Sequence, residues 1–155
     1  MAAIDSDTHL AEISAAWNGL KEAGDWVLLD LDGSVLRVHA QGHGGINEVR
    51  SHLDPSKVLW GGLSVIGVDE LSGVTTKSAQ RISFTFLGEN VNAVKKSQAS
   101  QQKGAVKDKA FPGNNATLDL TDPEDLSTKE VTEKLTKRAH LPKYLDFGGG
   151  VVVNL

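Results

Sequence analysis

Ile82, Phe84 and Phe86 alternate with Arg81, Ser83 and Thr85, the period-two pattern of a strand with one covered face. That strand runs through Leu87 into the corner Gly88-Glu89-Asn90 and, within a few residues, into Lys95 and Lys96. From Ala93 to about Lys109 helix-forming residues dominate, with Gly104 as a weak point worth roughly 1 kcal/mol against alanine. A strong core strand that feeds a polar helix directly restricts the chain to architectures in which helices lie across a sheet.

The remaining elements fit that restriction. Ile4, Leu10, Ile13, Trp17 and Leu20 recur at helical spacing, with Asp7 or Thr8 as the expected cap and Gly24 as the stop. Trp26 to Leu31 is a continuous apolar run, and Asp32-Gly33 turns it into a partner strand carrying Val35, Leu36, Val38 and Ala40. Ile46, Val49 and Leu53 suggest a short helix ended by Asp54-Pro55. Val58 to Val68 reads as a third strand, followed by a polar connection from Asp69 to Gln80. Thr117 to Leu120 reads as a brief edge strand. Asp122-Pro123-Glu124-Asp125 is a helix start with a capping acid and an early proline, and Leu126, Val131 and Leu135 continue it. Lys134, Lys137 and Arg138 sit toward its end. The expected fold is a mixed sheet of about five strands between helices, part of it antiparallel because of the hairpin. Residues 1–142 are expected to form one domain, and residues 143–155, with the run Gly148-Gly149-Gly150, a flexible tail.

At 155 residues, 39% hydrophobic and 23% charged, the chain suits a single core. Its net charge of −4 argues against a general nucleic-acid binder. There is no cysteine, so disulfides and thiolate metal sites are excluded. Asp5 and Asp7 stand where a secretory signal carries basic and then apolar residues, and no apolar run has bilayer-spanning length. A cytoplasmic location is expected, and the sequon Asn115-Ala116-Thr117 reads as coincidence.

Few residues suggest catalysis. The stretch from Val27 to Leu36 resembles the signature of haloacid dehalogenase-type phosphatases, with Asp30 as nucleophile, Asp32 as acid/base and both near magnesium. Against this, a full helix precedes the motif, a returning strand follows it, and Asp69-Glu70 makes a poor downstream metal pair. Gly42-His43-Gly44-Gly45 precedes a helix but lacks the ending of a phosphate loop. His9, His39, His43, His52 and His140 share no metal-ligand spacing. The expectation is a protein without catalysis, cofactor or metal.

The lysines are more informative. Between Lys95 and Lys109 stand Lys95, Lys96, Lys103, Lys107 and Lys109 against Asp108 alone, so five positive charges less one negative leave +4 in a chain of −4. Lys96, Ser100, Lys103 and Lys107 are spaced four, three and four, along one helix face. A solvated helix normally mixes acids with its lysines, so this one favours a partner with an acidic surface.

Phe86-Leu87-Gly88-Glu89-Asn90-Val91 and the lysine-bearing helix after it resemble coactosin-like proteins, a branch of the ADF/cofilin homology family. In that family a strand ending in Trp-Ile-Gly-Glu-Asn-Val leads into the long actin-binding helix; here Phe86 replaces the tryptophan. The resemblance implies a monomer that binds the side of filamentous actin without a chemical step, binds actin monomers weakly at most, and works in the cytoplasm at the cytoskeleton. It also implies contacts at Lys95, Lys96 and Lys103, with Lys107 on the same stripe. Lys77 and Arg81 are the nearest candidates for a second basic contact, and Lys129 or Lys134 for a third. Thr132 stands at the family's lysine position in the last helix, and Arg81 where an apolar residue is common.

Overall fold

The computed structural model describes residues 3–136 and 141–155. The elements in chain order are α1 (Leu10–Asn18), β1 (Trp26–Asp32), β2 (Val35–Gly42), α2 (Ile46–Ser51), β3 (Val58–Leu71), β4 (Val74–Leu87), α3 (Ala93–Ala110), β5 (Ala116–Leu120), a 3-10 turn (Pro123–Asp125), α4 (Thr128–Leu135), β6 (Tyr144–Gly148) and β7 (Val151–Asn154). The strands form one seven-stranded sheet with the path β2-β1-β3-β4-β5, and β6 pairs with both β3 and β7. All pairs are antiparallel except β4 with β5.

The sheet divides two apolar layers. On one face α1 and α3 cover Val27, Leu29, Val58 and Trp60, with Ile13, Trp17, Val106 and Phe111 supplied from the helices and loops. On the other, α2 and α4 cover Leu28, Leu59, Leu63, Phe84 and Phe86 with Ile46, Val49, Val131 and Leu135. The apolar run from Trp26 to Leu29 in β1 is explained by this two-sided cover, since all four residues are buried.

Three expectations are corrected. The sheet has seven strands, not about five, yet it is five strands wide. β3 pairs with β1 from Trp60 to Leu63 and with β6 from Ile66 to Val68, on the same side, so the β1–β2 and β6–β7 hairpins lie end to end. The polar stretch 69–80 is not a loop but the projecting half of the β3–β4 hairpin, paired as far as Leu71 with Val74. Its two-residue turn holds Ser72 at φ 52° and Gly73 at φ 79°, the left-handed pair that matches strand twist.

The third correction concerns residues 143–155, which form β6 and β7 rather than a flexible tail. Leu145 and Phe147 point into the core at 1% and 0% exposure. Gly148 and Gly45 are packed there backbone to backbone. A Cβ on Gly148 would strike the Gly24 Cα and the Ala23 carbonyl, and one on Gly45 would strike the Phe147 carbonyl. Both have positive φ, so side chains are excluded there by space as well as by conformation.

Local capping follows similar logic. The first helix is preceded not by Asp7 or Thr8 as cap but by Asp5, whose carboxylate accepts from the N–H groups of Asp7 and Thr8 and from the Thr8 hydroxyl. Asp122 does open the next helical segment. It accepts from Glu124 N–H, while Asp125 accepts from Asp122 N–H. That segment ends after one turn, and Ser127 caps α4 separately. Lys137, Arg138 and His140 lie outside the described residues.

Candidate functional site

The corner before α3 is built by the loop after α2. Gly88 N–H donates to Lys57 O at 3.1 Å and Asn90 N–H to Pro55 O at 3.0 Å. A side chain at Gly88 would collide with the Pro55 carbonyl. Val91 is buried, and Asn92 caps α3 by accepting from Lys95 N–H at 2.9 Å. The Gly-Glu-Asn sequence therefore aims α3 across the sheet from a fixed starting point.

Only a narrow seam holds α3 down: Ala99, Val106 and Ala110 are its buried residues. At about 3.6 residues per turn the side opposite that seam carries Val94, Ser97, Gln101, Gly104, Ala105 and Asp108, all exposed, with Val94 at 74%. Lys96, Lys103 and Lys107 line one flank at intermediate exposure. The predicted stripe is thus real as a row, but it borders the outward surface rather than occupying its centre.

The row is also less naked than its sequence suggests. Lys103 Nζ lies 3.1 Å from Asp119 on β5, Lys107 Nζ 4.0 Å from Asp108, and Lys109 pairs with Asp7 ahead of α1. Lys96 Nζ donates to the Glu89 carbonyl at 3.1 Å, a contact that leaves its charge uncompensated. Among the described residues Lys95 has no ion-pair partner, and it shares a small cleft with Lys57, Ser56 and Asp30. The free positive charge therefore concentrates at the first turn of α3.

The other predicted residues are scattered. Lys77 is exposed on the projecting arm, opposite Val68. Arg81 is committed to the fold: its Nε donates to Leu20 O at 3.0 Å, and its guanidinium sits 5.5 Å from the Trp17 ring centroid. It closes the carboxyl end of α1, where carbonyls lack helical partners. Lys129 and Lys134 are exposed on α4, across the sheet from α3. Sequence reasoning missed Val94, Lys57 and the arm tip, where Leu71 and Val74 are each 63% exposed. The tip was signalled by two apolar residues flanking Ser72-Gly73.

The phosphatase reading is overturned. Asp30 is 3% exposed and surrounded by cations: Arg37 Nε at 2.9 Å, His39 Nδ1 at 3.3 Å and Lys57 Nζ at 3.8 Å. Such a carboxylate is already compensated. Asp32, at the turn, pairs with Arg37 at 3.5 Å. β1 has antiparallel neighbours on both sides, whereas a phosphatase of that type needs its nucleophile at the end of a parallel strand. Among the described residues no three His, Asp or Glu side chains converge on a metal position.

A family model for cofilin/tropomyosin-type actin-binding proteins matches residues 7–136, from the Asp5 turn to the end of α4. The chain belongs to the ADF/cofilin homology family. Solved structures agree in fold. Human coactosin-like protein superposes with a TM-score of 0.72 at 18% identity, covering 88% of this chain and 100% of that one. Coactosin from Entamoeba histolytica gives 0.70 at 24% identity, covering 87% and 96%. Mouse coactosin, an actin filament binding protein, gives 0.68 at 18%, covering 90% and 94%. No curated protein matches the chain by sequence. The ADF/cofilin homology fold and its non-enzymatic, actin-binding character thus account for the α1–α4 frame, and likeness within it runs to coactosins.

Proposed function

We propose that this ADF/cofilin homology domain binds the side of actin filaments through the exposed surface of α3, without catalysis, at the cytoskeleton in the cytoplasm. The observation that carries the reading is the first turn of α3, where exposed Val94 is followed by Lys95 and Lys96, neither paired with a carboxylate among the described residues. The mouse coactosin, with which the chain shares its fold, is an actin filament binding protein. Charge at Lys95, Lys96 and Lys103 steers encounter with an acidic filament, and the uncharged strip Val94-Ser97-Gln101-Ala105 allows close approach once docked. Lys103 must exchange Asp119 for a carboxylate of the filament, so its net contribution is smaller. Among the described residues no helix is long and apolar enough to cross a membrane.

Cosedimentation with filaments at low and high salt tests this reading. Pelleting at low salt that falls as salt rises is expected. A folded protein that stays in the supernatant at low salt would falsify it.

A further inference from the structure

We propose that two copies of this chain pair edge to edge through β7, producing a bivalent particle able to cross-link filaments; the cross-linking half rests on the filament reading above. Sheet edges expose unpaired N–H and C=O groups, and proteins normally blunt them. Two of the edges here are blunted. The start of β2 is covered by Asp5, whose N–H donates to Ser34 O at 2.7 Å and whose carbonyl accepts from Leu36 N–H at 2.9 Å. β2 also carries Arg37 and His39, and its register against β1 shifts at Leu28/Leu29. β5 is five residues long and carries Asp119.

β7 is also short, at four residues, and its register against β6 shifts at Asp146/Gly148, but its edge lacks the charged side chains that β2 and β5 carry. It reads Val151-Val152-Val153-Asn154, without charge or proline, and among the described residues its sole strand partner is β6. Leu155 N–H donates inward to Lys143 O at 3.0 Å. With Tyr144 facing Asn154 and Asp146 facing Val152 in the β6 register, alternation turns the backbone groups of Val152 and Asn154 outward. Val152 is 50% exposed and Leu155 44%.

A second copy suits this edge better than a foreign peptide. Antiparallel pairing about Val153 sets Val152 of each chain against Asn154 of the other, so every outward donor meets an outward acceptor across a two-fold axis. No like charges face each other there. A peptide partner is recognised by side-chain pockets beside such an edge, and the two clefts that border the neighbouring β6, at Leu145 and at Tyr144 with Asp146, take no lining residue from β7. Four residues bury much less than a standard interface, so the dilute form is the monomer that the coactosin likeness implies. Along a filament, neighbouring copies are concentrated and the weak contact becomes effective. The sheet order also places β7 on the side of β3 away from β4 and β5. Pairing there leaves the Lys103–Asp119 flank and the outward surface of α3 free on both copies.

The full chain is tested by sedimentation velocity from low micromolar to near-millimolar concentration, and by low-speed pelleting of filaments. The expected result is a weight-average mass rising toward twice the monomer value, and filament bundles in the low-speed pellet. Val152→Lys should abolish both while leaving high-speed filament pelleting unchanged, and Val152→Thr should retain both. A wild-type chain monomeric at every concentration overturns the proposal. So does self-association that persists in Val152→Lys, because the contact then lies elsewhere. Loss of high-speed pelleting by the wild type overturns the filament reading instead, and the mass measurement, made without actin, still decides the pairing.

Discussion

Lys103 Nζ stands 3.1 Å from Asp119 Oδ2, joining the middle of α3 to the edge strand β5. Both partners are substantially solvated, with side-chain exposures of 38% and 63%, so the pair adds little stability but holds the lysine away from an incoming carboxylate. Asp119→Asn should therefore raise filament affinity by about twofold to fivefold, the range expected from releasing one exposed pair. Its melting temperature should barely change. Equal dissociation constants for the two proteins in cosedimentation would show that Lys103 takes no part in docking.

The first turn of α3 should matter more than its middle. Lys95→Ala with Lys96→Ala is expected to weaken filament binding by roughly tenfold, two exposed charge contacts of under about 1 kcal/mol each. The dependence of affinity on salt should flatten in parallel, since screening acts on the charges that remain. Lys129→Ala with Lys134→Ala, across the sheet, is the comparison: an equal loss there would move the contact to α4.

Arg81 separates a structural cation from a binding one. Arg81→Ala removes the hydrogen bond to Leu20 O and the cover over Trp17. A loss of about 1 kcal/mol in stability is predicted, with filament affinity of the folded protein unaltered. Chemical denaturation and cosedimentation on one preparation check the two halves of that statement.

Gly148→Val tests the junction that anchors the C-terminal hairpin. The added side chain meets Gly24 and the Ala23 carbonyl in a left-handed backbone position, so destabilisation of about 2 kcal/mol or more is expected. Hydrogen exchange should rise first in β6 and β7, and later or not at all in β1. A mutant as stable as the parent would show that the close glycine contact is not maintained in solution.

Acid should unfold the protein through carboxylates that the fold keeps charged. For Asp25, burial opposes ionisation, but the Glu22 N–H, the His43 ring at 2.7 Å and the Lys21 N–H outweigh it and hold its pKa below the ordinary 3.8. The N–H groups of Thr121 and Asp122 do the same for Asp125. A carboxylate whose folded pKa is depressed stabilises the native state above its unfolded pKa, and that stability disappears as pH falls toward the folded value. Stability should thus be flat with respect to these groups at neutral pH and drop below about pH 4. Asp25→Asn should be less stable at neutral pH and show a shallower acid slope, both measurable by denaturant titration across pH.

Much of this was legible from local pattern alone. The alternation from Arg81 to Phe86, the hairpin turn at Gly33 and the helix-forming run after Ala93 belong to interactions within a few residues. The second half of β4, the β1–β2 hairpin and α3 appear where those patterns place them, with the turn at Gly33-Ser34 because Asp32 pairs with Val35. The row Lys96-Lys103-Lys107 is likewise a consequence of helical spacing. What lay beyond sequence reading depends on residues far apart in the chain. Gly148-Gly149-Gly150 looks pliable until Gly24 and Gly45 are packed against it. Lys103 looks uncompensated until β5 brings Asp119 beside it, and Arg81 looks like a surface cation until α1 ends underneath it. Local propensities set which segments become strands and helices because they act through neighbouring backbone groups. Which charges remain free is decided by burial and approach between segments, and those exist only once the sheet has assembled.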